Sequence, residues 1–209
     1  PNLTSLDVSN FNTTNVTDMY AMFNGCSGLT NLDVGNFNTA KVKLMNYMFK
    51  DCSELTTIYV GSGWSTASVT DGKNLFTGCV KLVGGDGTEY SADHVDASYA
   101  HVDGGEDNPG YLTDKYGVAI TVKECTREYG ATNPKFEYTT KGAAICGKPT
   151  ISCSATATSP VGTYPITETY IKAEGESMLN ITCVNGSMTI TKAPLTITAK
   201  SYTIKRGEE

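Results

Sequence analysis

A short pattern recurs through the first half of this chain with a period of about 26 residues, a length typical of stacked repeats. Its copies begin at Leu3, Leu29 and Leu55, which are evenly spaced, and a fourth, weaker start follows at Leu82. The same spacing recurs at further apolar and cysteine positions: Val8, Val34 and Val60; Phe23, Phe49 and Phe76; Cys26, Cys52 and Cys79. A unit of this length cannot bury its apolar face alone, so we expect the copies to stack.

Each copy divides into two halves with different periodicity. The first half, as in residues 3–8, alternates and predicts a short strand. The second half, as in residues 15–23, has apolar residues at helical spacing, with Asn15 as a candidate N-cap and Asp18 in its first turn. Successive strands in this order run parallel. The pattern therefore predicts an α+β repeat solenoid of short parallel strands and short helices.

The pattern of apolar and polar residues changes after about residue 115. Alternating runs separated by Gly, Pro and Asn predict β-strands and no clear amphipathic helix. The run at 118–123 is echoed by a similar run at 195–200. We therefore predict three parts, listed by residue range: a repeat domain over 1–115 with a C-terminal cap from about 82, a β module over 116–193, and the truncated start of a second β module over 194–209.

Two regions of the sequence resemble known protein families. LTSLDVSNFNTTNVTDMYAMFNGC and LTNLDVGNFNTAKVKLMNYMFKDC resemble the BspA-type leucine-rich repeat of bacterial surface proteins, from Asn2 to about Lys81. REYGATNPKFEY, SPVGTYPIT and VNGSMTITKAPLTI resemble the MBG domains of bacterial adhesins. The second resemblance implies a mostly-β module of about five strands. A β-grasp-like sheet is the first prediction for it, and an immunoglobulin-like sandwich is the alternative.

Composition and charge narrow the possible functions. The net charge is -6, and no Lys/Arg cluster supplies the basic face that a nucleic-acid binder needs. No apolar stretch approaches the roughly 20 residues that span a bilayer, so we expect no membrane insertion of this fragment. We expect the three repeat cysteines to be buried, reduced thiols.

The sequence contains none of the catalytic motifs considered. There is no G-x-S-x-G elbow, no P-loop and no dinucleotide-binding glycine motif, so we predict a non-enzymatic protein without a cofactor. Acidic residues crowd the segment after the repeats. Calcium prefers carboxylate oxygens, which makes Asp86, Asp103 and Asp107 weak candidates for a calcium site.

The remaining candidate for function is the outward face of the repeat strands. We predict that binding residues lie there or beside it: Thr4, Asp7, Thr30, Asn31, Asp33, Thr57, Tyr59 and Trp64. The family resemblance implies a cell-surface or extracellular adhesin that binds host extracellular-matrix proteins, other bacterial surface proteins or mucosal glycans, with the β module as a stalk. The alternative is a purely structural spacer or assembly element with no dedicated ligand.

Overall fold

The computed structural model describes residues 3–200 and residue 206. The described chain forms two compact units. The first contains the chain up to Val118 together with Gly142–Ile145 and Glu174–Ile181, and the second contains the remaining described residues.

Secondary structure in the described residues consists almost entirely of short strands. Two 3-10 helices, Ala97–Tyr99 and Gly105–Asp107, are the only helices there. The strands, in chain order, are β1 Asn31–Val34, β2 Thr57–Val60, β3 Leu112–Asp114, β4 Gly117–Val122, β5 Cys125–Glu128, β6 Tyr138–Gly142, β7 Thr150–Cys153, β8 Gly162–Thr169, β9 Asn180–Val184 and β10 Gly186–Thr191.

The predicted α+β repeat solenoid is therefore wrong. The structure is mainly β, and the segments predicted to be helical, residues 15–23 and 42–49, form turns and isolated bridges. The strand predicted for residues 3–8 of the first copy is also absent, whereas the second and third copies contribute β1 and β2. The repeat period survives this correction, because hydrogen bonds link each copy to the next.

Backbone conformation explains why no helix forms in the second half of each copy. Ala21, Tyr47 and Asn74 occupy equivalent positions and have φ values of 51°, 61° and 54°. These values lie in the left-handed region, which interrupts a right-handed helix. Backbone N–H groups bond to the next copy instead, as where Phe23 donates to the Met48 carbonyl at 2.8 Å. Two successive turns thus reproduce the apolar spacing that resembled a helix.

The first unit contains a parallel sheet in the order β1-β2-β3. Leu32 pairs with Ile58, and Ile58 pairs with Leu112, so that three fully buried aliphatic side chains lie side by side. Behind them, Phe23, Phe49 and Phe76 stack with ring centroids 5.7 and 5.6 Å apart. The interplanar angles of 5° and 7° show that the repeated aromatic position is continuous through the unit.

The repeated cysteines lie beside the aromatic stack. The Cys52 thiol donates to the Phe23 carbonyl at 3.1 Å, and the Cys79 thiol donates to the Phe49 carbonyl at 3.0 Å. Both are fully buried, and burial raises the pKa of each thiol to about 12. The prediction of buried, reduced thiols is confirmed for these two, while Cys26 in the first copy is only partly buried.

The second unit is built on a mixed sheet in the order β5-β10-β8-β7, and a further sheet has the order β6-β4-β9. One cluster of buried side chains in the described part of this unit contains Val122, Ala155, Ile166, Met188 and Ile190. No helix lies in the described part of this unit, so the β-grasp-like prediction is wrong. The parallel pairing of β5 with β10 also departs from the antiparallel sheets of the immunoglobulin-like alternative.

The predicted start of a second β module, 194–209, lies partly outside the described residues. Residues 194–200 belong to no strand, and Leu195 and Ile197 are 84% and 83% exposed. The domain boundaries at 115 and 193 stay a prediction. No helix among the described residues is long and apolar enough to cross a bilayer.

Candidate binding face on the parallel sheet

The outward face of the β1-β2-β3 sheet brings together four of the predicted binding residues. Asn31 lies beside Thr57, and Asp33 lies beside Tyr59, because β1 and β2 pair in parallel in that register. Alternate residues of the same strands point into the core, so these four face outward. Tyr59 is 36% exposed, which leaves part of its ring open to a ligand.

A third strand extends this face with residues that the sequence analysis missed. Thr113 of β3 lies beside Tyr59. Just after β3, the Lys115 Nζ lies 2.7 Å from an Asp33 carboxylate oxygen and 5.6 Å from the centre of the Tyr116 ring. The hydrogen bond to Asp33 raises the pKa of Lys115. The face thus combines a carboxylate, an ammonium group and two tyrosines.

The Asp33 carboxylate is held in position from two sides. Its Oδ1 accepts a hydrogen bond from the Gly35 N–H at 2.9 Å, while its Oδ2 faces Lys115. Asp114 closes the end of β3 in the same way, since its Oδ1 accepts from the Tyr116 N–H at 2.8 Å. Each aspartate forms a turn with its own backbone two residues on, which fixes the direction of the side chains at this end of the face.

Glycine at the ends of β1 and β2 allows this arrangement. A Cβ at Gly61 would lie 2.2 Å from the Gly35 carbonyl oxygen and 3.3 Å from the Tyr116 ring. A Cβ at Gly35 would lie 2.5 Å from the Lys115 side chain. The recurrence of glycine at the same position of two successive copies was therefore a signal that other atoms approach the sheet closely here.

The other predicted strand residues lie at the margin of this face. Thr30 is exposed next to Asn31, and its carbonyl accepts hydrogen bonds from the N–H and hydroxyl of Thr56. Thr4 and Asp7 are exposed in the first copy, outside any strand. The Asp7 carboxylate accepts from the Ser9 N–H, and hydrogen bonding to Ser9 lowers the pKa of Asp7.

Trp64 does not belong to the face. Its indole N–H donates to the Ala100 carbonyl at 2.9 Å, and its ring packs against Phe49 with centroids 6.5 Å apart. It is a partly buried member of the repeat core, in contact with the aromatic stack. Its main role in this structure is packing.

Asp103, one of the calcium candidates, anchors the loops after the repeats. It is 3% exposed and accepts hydrogen bonds from the backbone N–H groups of Asp86, Thr88, Gly105 and Gly110 and from the Thr88 hydroxyl. Burial alone would raise the pKa of Asp103, but these donors outweigh it and lower the pKa to about 2. The carboxylate is thus fully used as an acceptor from its own chain.

The other two calcium candidates differ from Asp103. The side chains of Asp86 and Asp107 are exposed. No group of three or more His, Cys, Asp or Glu side chains converges among the described residues in a way that suits a metal ion. Calcium binding stays an untested prediction, and the structural role of Asp103 stands without it.

The fold and its face define a protein of stacked repeats with an exposed parallel sheet, followed by a β module. Residues 2–106 match the family described as "Mycoplasma protein of unknown function, DUF285". Because this match covers half of the chain, the chain belongs to that family. Residues 118–189 match the MBG domain of the YGX type, which confirms the predicted order of a repeat region followed by an MBG-type module.

Together the two family matches point to a repeat and stalk region of a surface protein. Comparison with curated proteins and with solved structures gives no match. The chemistry of the sheet face is therefore the main basis for a specific function.

Proposed function

We propose that this chain is a non-enzymatic part of a bacterial cell-surface adhesin, in which the sheet face binds a protein or glycan and the β module acts as a stalk. The main observation in support of this function is that Asp33, Tyr59, Lys115 and Tyr116 share one face of the parallel sheet. Aromatic rings beside fixed charges are typical of the residues that dominate binding energy at interfaces.

Preorganisation of the face supports the proposal. Asp33 is bonded to a backbone N–H and to Lys115, and Tyr59 lies between β1 and β3 in a regular parallel register. Side chains that are already ordered lose less conformational entropy when a ligand binds. A face of this kind suits recognition better than a surface of independently moving side chains.

The sequence resemblances support the same function. The repeats resemble BspA-type surface repeats, and the module after them resembles the MBG domains of bacterial adhesins. By that resemblance, the expected partners are host extracellular-matrix proteins, other bacterial surface proteins or mucosal glycans at the cell surface. This inference rests on family analogy, whereas the proposed site rests on the geometry.

A double variant of the face tests the proposal. Asp33→Arg with Tyr59→Ala reverses the charge that pairs with Lys115 and removes the central ring. Binding of the full chain to immobilised matrix proteins, to mucin and to a glycan array should weaken at least about tenfold, because loss of a hot spot costs about 2 kcal/mol or more.

A matched control carries the same changes away from the face. Asp93→Arg with Tyr129→Ala alters an exposed aspartate and an exposed tyrosine, and it should bind as the unaltered chain does. Equal binding by the face variant would exclude the face as the site. If the unaltered chain binds none of the probes, the spacer alternative replaces the adhesin.

A further inference from the structure

Two cysteines of the β module lie on the outer strands of its four-stranded sheet. Cys125 begins β5 and Cys153 ends β7, and these strands form the two edges of the order β5-β10-β8-β7. Both side chains are partly buried and pack against the same cluster of buried residues, so they lie on the same face of the sheet. In a flat sheet, three strand spacings of about 14 Å in total would separate them, which is too far for a disulfide.

Hydrogen bonds show that the two edges of the sheet curve toward each other. The Arg127 guanidinium of β5 donates through Nη2 to the Thr156 carbonyl, just after β7. The Gly130 N–H, just after β5, donates to the Ala157 carbonyl at 3.1 Å. Arg127 is 7% exposed, so its contact is shielded from water. The ends of β5 and β7 are therefore joined directly, although two strands lie between them in the sheet order.

The register of these contacts places the two cysteines opposite each other. β5 is parallel to β10, and both β10 and β7 are antiparallel to β8, so β5 and β7 run in the same direction. The two bonded pairs are 29 and 27 residues apart in sequence, and Cys125 and Cys153 are 28 residues apart. Parallel chains keep such an offset along their length. Burial raises the pKa of the Cys125 thiol, and the nearby Cys153 thiol raises it further.

We propose that Cys125 and Cys153 form a disulfide that joins the two edges of this sheet, by exchange with a small disulfide such as oxidised glutathione. Both residues are thiols in the structure, which therefore represents the reduced form. The thiolate of one cysteine attacks the oxidant, forms a mixed disulfide and releases one glutathione. The thiolate of the other cysteine then attacks the protein sulfur of the mixed disulfide, so that the Sγ–Sγ bond forms and the second glutathione leaves. The two electrons and two protons of the cysteine pair pass to the two glutathione molecules.

Three other cysteines are poorly suited to this exchange. Cys52 and Cys79 are fully buried, and burial raises the pKa of each thiol to about 12, so little thiolate forms. The Cys183 thiol donates to Glu168, and desolvation together with this carboxylate raises the pKa of Cys183 to about 11. Cys146 is exposed in the same module, which makes it the alternative partner that the experiment distinguishes.

The disulfide stabilises the module and protects its edges. Edge strands present unpaired backbone groups to which other chains can pair. A covalent link between β5 and β7 holds the two edges together, and it restricts the unfolded chain by closing a loop. Such bonds persist in the oxidising environment outside the cell. The inference is independent of what the sheet face of the repeats binds.

Peptide mapping of the full chain tests the pairing. The chain is incubated with oxidised glutathione, its remaining thiols are alkylated, and it is digested with trypsin without reduction. Tryptic peptide 124–127 should be linked to peptide 142–172, because trypsin does not cleave before Pro149. The second peptide contains Cys146 and Cys153. The link should therefore persist in Cys146→Ala, where Cys153 is the one cysteine left in that peptide, and should disappear in the matched variant Cys153→Ala.

Thermal unfolding measures what the link contributes. The transition of the β module is identified as the one that Ile166→Ala lowers. It should occur at least about 8 °C higher in the oxidised chain than in the reduced chain, because a disulfide that closes a loop of this length restricts the unfolded state of a small domain. Oxidised Cys125→Ala and Cys153→Ala should melt as their reduced forms do.

Three results would overturn the proposal. Cys125 found only in alkylated or glutathione-bound form would show that the two thiols do not meet. Loss of the link in Cys146→Ala would assign the partner of Cys125 to Cys146. A module transition that stays unchanged after the link has formed would show that the bond does not hold the folded edges together.

Discussion

The repeat unit and the β module bury their apolar residues in different ways. Among the described residues, one cluster of 22 buried residues, from Val8 to Leu112, forms the repeat core, whereas the corresponding cluster of the β module contains five. In the repeats, buried residues such as Phe23, Phe49 and Phe76 meet their equivalents in the next copy. In the module, no equivalent residue exists, and contacts join strands far apart in sequence. A cavity should therefore lower the free energy of unfolding more in the repeats, because buried side chains there are packed on both sides.

The two regions also differ in how they treat buried polar groups. In the repeat unit, Asp103 accepts hydrogen bonds from four backbone N–H groups and a hydroxyl. In the β module, Glu168 is 9% exposed, and its Oε1 accepts from the Cys183 thiol at 2.8 Å. The Glu168 Oε2 has no hydrogen-bond partner within the described structure. Matched substitutions in the two regions can measure what this difference contributes.

The largest expected effect comes from the aromatic stack. Phe49→Ala removes a fully buried ring that contacts Phe23 and Phe76 on its two faces, and we expect a loss of about 3–5 kcal/mol. Ile166→Ala, at the centre of the module core, should cost about 2–3 kcal/mol, since fewer buried neighbours line the cavity. Denaturant unfolding followed by the fluorescence of Trp64, the single tryptophan, reports on the repeats, and circular dichroism follows the strands of the module.

Equal losses for the two variants would contradict the comparison, because they would show that the stacked copies add nothing beyond ordinary core packing. Phe11→Ala is the control within the repeats. Its ring is 49% exposed at the equivalent of a buried position, so its loss should stay below about 1.5 kcal/mol.

The two buried carboxylates give the next largest effect. Asp103→Asn should cost about 3 kcal/mol at neutral pH, since an amide cannot accept from all the donors around it. The pKa of Asp103 falls from 3.8 to about 2 on folding. Its stabilising contribution is therefore complete above about pH 4 and is lost as the pH falls toward 2. The melting temperature of the unaltered chain should fall between about pH 5 and about pH 2, and that of the Asn variant should fall less.

Glu168→Gln is the matched change in the β module. The variant keeps the shape of the side chain and removes a buried charge, one oxygen of which has no partner in the described residues. We expect a change between zero and a gain of about 1 kcal/mol. A loss as large as that of Asp103→Asn would show that Glu168 is satisfied by water or by another group.

How much of this could be predicted from the sequence depends on the level of structure. The repeat period predicted the stacking of Phe23, Phe49 and Phe76 and the burial of Cys52 and Cys79. Both follow from side-chain repetition alone, without knowledge of the backbone. The local conformation did not follow, because apolar residues three and four apart also occur in successive turns. A left-handed residue such as Tyr47 carries no clear signal of its φ, unlike the glycines of the same repeats.

The candidate face was predictable in part for the same reason. Asn31, Asp33, Thr57 and Tyr59 alternate with core residues, so the strand period placed them correctly. The residues after β3 were missed, because β3 pairs with β2 only after the chain has passed through the long cap segment. Nothing in the spacing of the repeats leads to β3.

A buried hydroxyl gives a smaller effect than the carboxylates. The Thr39 hydroxyl donates to the Ser65 carbonyl at 2.7 Å and accepts from the Ser65 N–H at 2.6 Å, which joins the second copy to the third. Thr39→Val should cost about 2 kcal/mol, because both backbone groups lose their partner. Thr167→Val in the β module affects an exposed hydroxyl 3.1 Å from that of Ser152, and it should change stability by less than about 0.5 kcal/mol. A reversed order in urea unfolding would contradict the contrast.

The smallest expected effect comes from the surface ion pairs, one in each region. Lys115 pairs with Asp33 at 2.7 Å, and Lys123 pairs with Glu137 at 3.0 Å, with all four side chains at least a third exposed. Lys115→Ala and Lys123→Ala should each cost less than about 1 kcal/mol, and the losses should shrink in high salt. If Lys115→Ala alone unfolds the repeats, Lys115 is required for the stability of the repeat unit. If both variants fold normally and only Lys115→Ala weakens ligand binding, the charge on the sheet face serves recognition, because stability does not require it.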